Sequence, residues 1–158
     1  LNAPGYVYNT QQSVWDYIEA PSRNKIAFYV WGRGDETGHG NHSLTGHAFV
    51  WIKNMGYWGF GSKNGEWFGD EGVVSDHTRL RQYATDSCIV YVTDQQLRQA
   101  QQKLNQLRNS TPDYNLQLYD CTSFAMDIAD AAEVYYGIRS LVFTPGDFME
   151  RLKKYNSY

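Results

Sequence analysis

The hydrophobic period of this chain changes once, at Thr93, and that change fixes the fold class before any motif is considered. Between residues 25 and 92, short runs rich in Val, Ile, Tyr, Phe and Trp are separated by Gly, Asn and Asp, the pattern of strands and turns. Four strands are expected there: Ile26–Gly32, His47–Lys53, Tyr57–Ser62 and Ser87–Val92. Asn54-Met55-Gly56 joins the second to the third and carries a glycine able to take positive φ, so those two form an antiparallel hairpin. From Thr93 onward the period is helical: Thr93 and Gln96 make a capping box, and Leu97, Ala100, Leu104 and Leu107 recur along one face. Asp120 is placed as the N-cap of a second helix from Cys121 to about Ala132, and Thr144-Pro145 opens a third that carries Phe148, Leu152 and Tyr155. Residues 11–19 are read as one more helix. Strands followed by helices imply an α+β domain, an antiparallel sheet of about four strands with helices on one face. The whole chain, 1–158, is one domain: an N-terminal extension (1–24), a strand-rich half (25–92) and a helix-rich half (93–158).

Composition removes several partners. A net charge of −3 with no run of Lys or Arg disfavours nucleic acid and anionic membrane surfaces. The longest apolar stretches, such as Ala48–Ile52, span about five residues against the ~20 of a membrane helix, so no transmembrane segment is expected. The start, Leu1-Asn2-Ala3-Pro4-Gly5, has neither an initiator Met nor a signal region and reads as a segment released from something longer. Two cysteines, Cys88 and Cys121, allow at most one disulfide and exclude a zinc site built mainly of thiolates.

The chemistry concentrates at two positions. Cys121 lies in the first turn of its helix, on the face shared by Phe124, Ala125 and Ile128, so its thiol is turned toward the sheet. Free N–H groups and positive potential at a helix start stabilise a thiolate and then an oxyanion. The bland alternative is a small core cysteine. A thiol nucleophile needs a base, and of His39, His42, His47 and His77 only His47 begins a convincing strand. Alternation puts His47, Phe49 and Trp51 on one face and Ala48, Val50 and Ile52 on the other, and either face is open to being the covered one. Taken singly, His47 is as easily a strand-end histidine bonded to a loop carbonyl; its conjunction with Cys121 is what makes it a candidate base.

Gly46-His47-Ala48-Phe49-Val50, Gly59-Phe60-Gly61-Ser62, Tyr114–Leu118, Asp120-Cys121-Thr122-Ser123-Phe124-Ala125 and Thr144-Pro145 together resemble the permuted papain-like cysteine hydrolases. More narrowly, they resemble those found as C-terminal toxin domains of interbacterial effectors, including type VI secretion effectors. In that circular order the His strand precedes the Cys helix. The resemblance implies that His47 takes the proton of Cys121, that the thiolate attacks an amide or ester carbonyl, and that the oxyanion rests at the helix start formed by Asp120, Cys121 and Thr122. It implies no cofactor and no metal. The expected substrate is a peptidoglycan or peptide amide, with lipid esters, protein amides and acyl transfer open to the same pair. It further implies an antibacterial protein, secreted or delivered to a target-cell periplasm, and a cognate immunity protein covering the Cys121 cleft. Where the family often has Asn before its Cys, this chain has Asp120, and an ionised carboxylate only accepts hydrogen bonds. Ser62 is taken as the third catalytic member, expected across from His47, with Asn64, Asp76, His77 or a backbone carbonyl as alternatives.

Three rival readings stand beside this one. His39, His42 and His47 lie within nine positions and could form a zinc-hydrolase site. Trp58 and Trp67, with Tyr57 and Phe68, flank Gly-rich turns and are candidates for substrate contact, or for sugar stacking in a non-catalytic glycan-binding module. Cys88 and Cys121 could be a structural disulfide.

Overall fold

The computed structural model describes residues 5–9, 14–18, 24–35, 45–140 and 143–156. Strand β1 (Gly5–Asn9) pairs antiparallel with β2 (Val14–Ile18) in a two-stranded sheet. The expected helix at 11–19 is therefore corrected: its described part, Val-Trp-Asp-Tyr-Ile, is rich in β-branched and aromatic residues that suit a pleated strand better than a helix.

The main sheet is antiparallel and five-stranded. It holds β3 (Lys25–Trp31), β4 (His47–Ile52), β5 (Gly56–Ser62), β7 (Gly72–Asp76) and β8 (Asp86–Tyr91) in the spatial order β7-β5-β4-β3-β8. All four expected strands are present. The fifth, β7, pairs with β5 from Trp58↔Asp76 to Ser62↔Gly72, and its exposed Val73, Ser75 and Asp76 give an edge strand little apolar signal to read. A short ladder, β6 (Phe68–Asp70) with β9 (Tyr114–Asn115), ties the two halves of the chain together. The β4–β5 hairpin turns as expected, with Asn54 (φ 67°) and Gly56 (φ 84°) both left-handed and Met55 N–H donating to Ile52 O at 2.9 Å.

Strand β3 is buried on both sides, which is why it reads as a continuous apolar run rather than an alternation. Ile26, Phe28 and Val30, with Ala48, Val50 and Ile52 of β4, face the helices α1 (Asp94–Asn109), α2 (Cys121–Ala131) and α3 (Pro145–Asn156). Ala27, Tyr29 and Trp31 pack with Phe49 on the other face, roofed by Leu80 and Tyr83 of a 3-10 turn over Thr78–Tyr83. Helix α1 starts at the capping box read from the sequence, Gln96 N–H to Thr93 Oγ1 at 3.1 Å and Thr93 N–H to Gln96 Oε1 at 2.8 Å. Helix α2 lies centrally, against β4, β5, α1 and α3, and is buried along Cys121–Met126 as well as at Ile128 and Ala129.

Phe148 of α3 is fully buried and meets Phe28 edge-on at 5.6 Å and Tyr136 at 5.1 Å. Phe148→Ala should lower the folding free energy by about 3–5 kcal/mol through lost burial and a residual cavity, read as a fall in the urea midpoint.

Candidate active site

One end of the sheet opens into a cavity of about 880 Å³ whose walls include both His47 and Cys121. Its position follows from the backbone. The β4–β5 ladder ends at Phe49↔Gly59, so the two strands separate just where β4 begins. The Ala48 backbone lies beside the Cys121 sulfur, close enough to lower its pKa weakly, and the first turn of α2 presents that sulfur at this gap.

The start of α2 is held by Asp120. Its Oδ1 accepts from Thr122 N–H at 2.9 Å and Ser123 N–H at 3.0 Å, while Asp120 N–H donates back to Ser123 Oγ at 3.2 Å. The expected oxyanion group is thus divided in its duties. Asp120 is the cap and Thr122 N–H is occupied by it, which leaves the amide of Cys121 as the first-turn donor turned to no partner among the described residues. The thiol itself is buried, and burial first, then the neighbouring Asp120 carboxylate, pushes it up to about 12; the Ala48 amide and Thr122 pull weakly the other way. Burial likewise raises Asp120. At neutral pH Cys121 rests as the thiol.

His47 is the last residue of β4 to pair with β3, opposite Trp31, whose ring lies 4.7 Å from the imidazole. Its Nε2 is 2.8 Å from Nε2 of His77, and His77 Nδ1 is 3.0 Å from the carbonyl oxygen of Ser75. The Ser75 hydroxyl is farther from Nδ1, at 3.5 Å, so the carbonyl contact sets the tautomers. A carbonyl only accepts, so His77 Nδ1 carries the proton; a neutral His77 then offers Nε2 as acceptor, and His47 Nε2 must donate to it. Both rings are neutral, because burial lowers His77, and burial with the adjacent His77 lowers His47 to about 3. The free lone pair of His47 is therefore on Nδ1. Gly59 makes this relay possible: a Cβ there would sit 2.2 Å from His77 Nε2.

The other sequence candidates separate. Ser62 is not across from His47, since the β4–β5 offset places residue 61 opposite position 47; its hydroxyl donates to Asp70, which also accepts from Asn64 N–H at 2.7 Å and Asn64 Nδ2 at 2.8 Å. Ser62 still lines the cavity, but as part of the Asp70-pinned turn. Asp76 caps the 3-10 turn through Thr78 N–H at 2.7 Å. Trp58 lies away from the cavity walls, its Nε1 donating to Met55 O at 2.7 Å and its ring under Arg108 at 4.2 Å. Trp67 is exposed and is not part of the cavity wall. Both cysteines are free, Cys88 in β8 opposite Phe28, so the disulfide reading is withdrawn. His39 and His42 lie outside the described residues, and among the described residues no three His, Cys, Asp or Glu side chains are grouped to hold a metal. The residue that sequence reading left among loop alternatives is His77: it follows a weakly patterned edge strand, and nothing in that stretch shows that it folds back under Gly59.

Compared with known proteins, the chain matches no family model, no curated protein and no solved structure, so the reading of the site rests on its geometry.

Two outcomes follow. Asp120→Asn keeps a good N-cap but removes the negative charge beside the sulfur, so the pH midpoint of Cys121 alkylation by iodoacetamide should move down while the thermal midpoint changes little. Because native His47 stays neutral down to about 3 whereas an unfolded histidine takes a proton near 6.5, the unfolded state binds more protons in that window. Stability should fall as pH drops from 6.5 toward 3, and His47→Gln should flatten the dependence in urea titrations at a series of pH values.

Proposed function

We propose that this chain is a cysteine hydrolase in which Cys121 is the nucleophile, His47 the general base and His77 the residue that positions His47. The observation that carries the reading is the tautomer chain from Ser75 O through His77 to His47, which leaves the free lone pair of His47 on Nδ1, in a residue that lines the same cavity as Cys121. A base needs its lone pair on a known atom, and here a carbonyl two residues before His77 decides which atom that is.

The reaction starts from the neutral pair. With the thiol pushed up and the imidazole pushed down, a preformed thiolate–imidazolium pair is disfavoured, so proton transfer from Sγ to Nδ1 accompanies attack on the substrate carbonyl. The Cys121 N–H receives the developing oxyanion. His47 then returns its proton to the leaving nitrogen or oxygen, the acyl group remains on sulfur as a thioester, and water, deprotonated by the same Nδ1, releases the acid. The proposal includes the permuted papain-like order, with the His strand ahead of the Cys helix. A peptidoglycan stem-peptide amide is one substrate class, and with it go the roles of delivered antibacterial effector and of an immunity protein over the Cys121 cleft. An acyl ester is the second class, favoured by one observation: Phe60, Tyr114, Leu116, Leu118 and Phe143 make much of the cavity wall apolar.

The test is acid-quenched mass spectrometry of the protein mixed with a soluble p-nitrophenyl ester, looking for the acyl mass on the Cys121 peptide. Cys121→Ala and His47→Ala should each lose on the order of 10³-fold or more in turnover. His77→Ala should lower kcat roughly 10–100-fold with KM nearly constant and reshape the pH profile, and His77→Gln, which can accept from His47 Nε2, should recover part of it. Full turnover by Cys121→Ala would end the reading.

A further inference from the structure

We infer that Arg33 is the specificity-determining residue of the cavity and takes a carboxylate carried by the leaving half of the substrate; the choice of that half rests on the hydrolase reading above. The chain has 14 lysines and arginines against 17 acids, and most of those cations are engaged. Ion pairs hold Lys63, Arg139 and Lys153, and aromatic rings lie under Arg81, Arg108 and Arg151. Arg33 has neither kind of partner among the described residues, and it is the one lysine or arginine in the described wall of the Cys121 cavity. An unpaired guanidinium is a planar fork of donors that matches a carboxylate.

The backbone fixes where that fork starts. Residues 32–35 form a tight turn after β3: Asp35 N–H donates to Gly32 O at 3.3 Å, and Gly34 (φ 87°) takes the left-handed position. The one acid of the turn is committed elsewhere, since the Asp35 carboxylate accepts from Gly32 N–H and, at 2.8 Å, from the Thr85 hydroxyl. Arg33 is thus carried by a turn that is closed on itself and tied to Thr85. A Cβ on Gly46 would sit 3.5 Å from Arg33 N and 2.8 Å from Trp31 O, so the turn runs alongside the residue that precedes His47. Arg33 is also exposed. An exposed residue that lines a cavity stands where the wall meets water.

This position gives the carboxylate a side. In the proposed reaction the acyl half stays on Cys121 and His47 returns its proton to the leaving atom, so the leaving half lies toward His47. A cation whose backbone borders Gly46 is on that side. The one carboxylate in the described wall stands at the other end: Asp120 immediately precedes Cys121 and repels a like charge from the acyl half. The two charges together orient an anionic substrate, with its carboxylate at Arg33 and its scissile carbonyl at the sulfur. The substrate class is therefore an amide whose amine half carries a carboxylate, either as a chain terminus or as an acidic side chain.

Two soluble probes differ in that charge: hippurate, a benzamide whose amine half ends in a carboxylate, and hippuramide, its neutral amide. Each is titrated into the Cys121→Ala chain, which separates binding from turnover, and followed by NMR. Hippurate should bind roughly tenfold or more tighter than hippuramide, the scale of one charge-assisted fork, and the preference should shrink as salt is raised. Arg33→Gln should erase the preference by weakening hippurate alone, and Arg33→Lys, which keeps the charge and loses the fork, should restore part of it. Nα-benzoyl-glutamic acid α-amide carries its carboxylate on the side chain and distinguishes the two sources: tighter binding than hippurate assigns the site to an acidic side chain, weaker binding to a chain terminus. Equal binding of hippurate and hippuramide, no binding of either at millimolar concentration, or a preference that survives Arg33→Gln overturns the role of Arg33, even if soluble esters acylate Cys121. A hippurate preference lost in Arg33→Gln, in a chain whose Cys121 no ester acylates, overturns the hydrolase reading and the choice of the leaving half with it, and leaves Arg33 as a carboxylate site.

Discussion

The pleat of β4 is the constraint on which the rest of the structure depends. Alternate residues of a strand must point to opposite faces, so Ala48, Val50 and Ile52 lie under the helices while His47, Phe49 and Trp51 join the aromatic layer behind the sheet. Cys121 at the start of α2 and the imidazole of His47 on β4 therefore cannot meet across the middle of the sheet. They share a space only at its end, where the β4–β5 ladder has stopped and the backbone of residue 48 is open to the Cys121 sulfur. The cavity is placed by strand geometry before any side chain lines it.

Burial then sets the protonation states. Taking a thiol and two imidazoles out of water favours their neutral forms, and the Asp120 cap, by its charge, adds to that preference at sulfur. One carboxylate thus has opposed effects: it satisfies two amides at the start of α2 and makes the thiolate dearer. Between the neutral partners, hydrogen-bond direction replaces charge attraction as the ordering principle. The Ser75 carbonyl has no alternative but to accept, and that single fact propagates through two rings to put the free lone pair of His47 on Nδ1.

Much of this was legible in the amino-acid order. The change of period at Thr93, the caps at Thr93 and Asp120 and the Asn54–Gly56 turn are local features, governed by residues within a few positions of one another, and each stands where the pattern puts it. Cys121 at a capped helix start and His47 at a strand start were visible for the same reason. What sequence could not give was anything fixed by register or by an edge. Ser62 was placed by counting across a hairpin, and an error of one residue exchanges neighbours in a ladder. β7 is short and half in water, so its composition says little, and without β7 there is no way to see that His77 returns to the ring of His47. At 14–18 a few aromatic and β-branched residues fit two periods, and pairing with β1 decides between them.

The hydrogen that stands in place of a side chain at Gly59 ties two positions far apart in role. Imidazole at 77 occupies the space a Cβ at 59 would need, so a side chain at 59 requires the ring at 77 to move or to be replaced. A side chain gained at 59 would thus displace the ring that accepts from His47 Nε2.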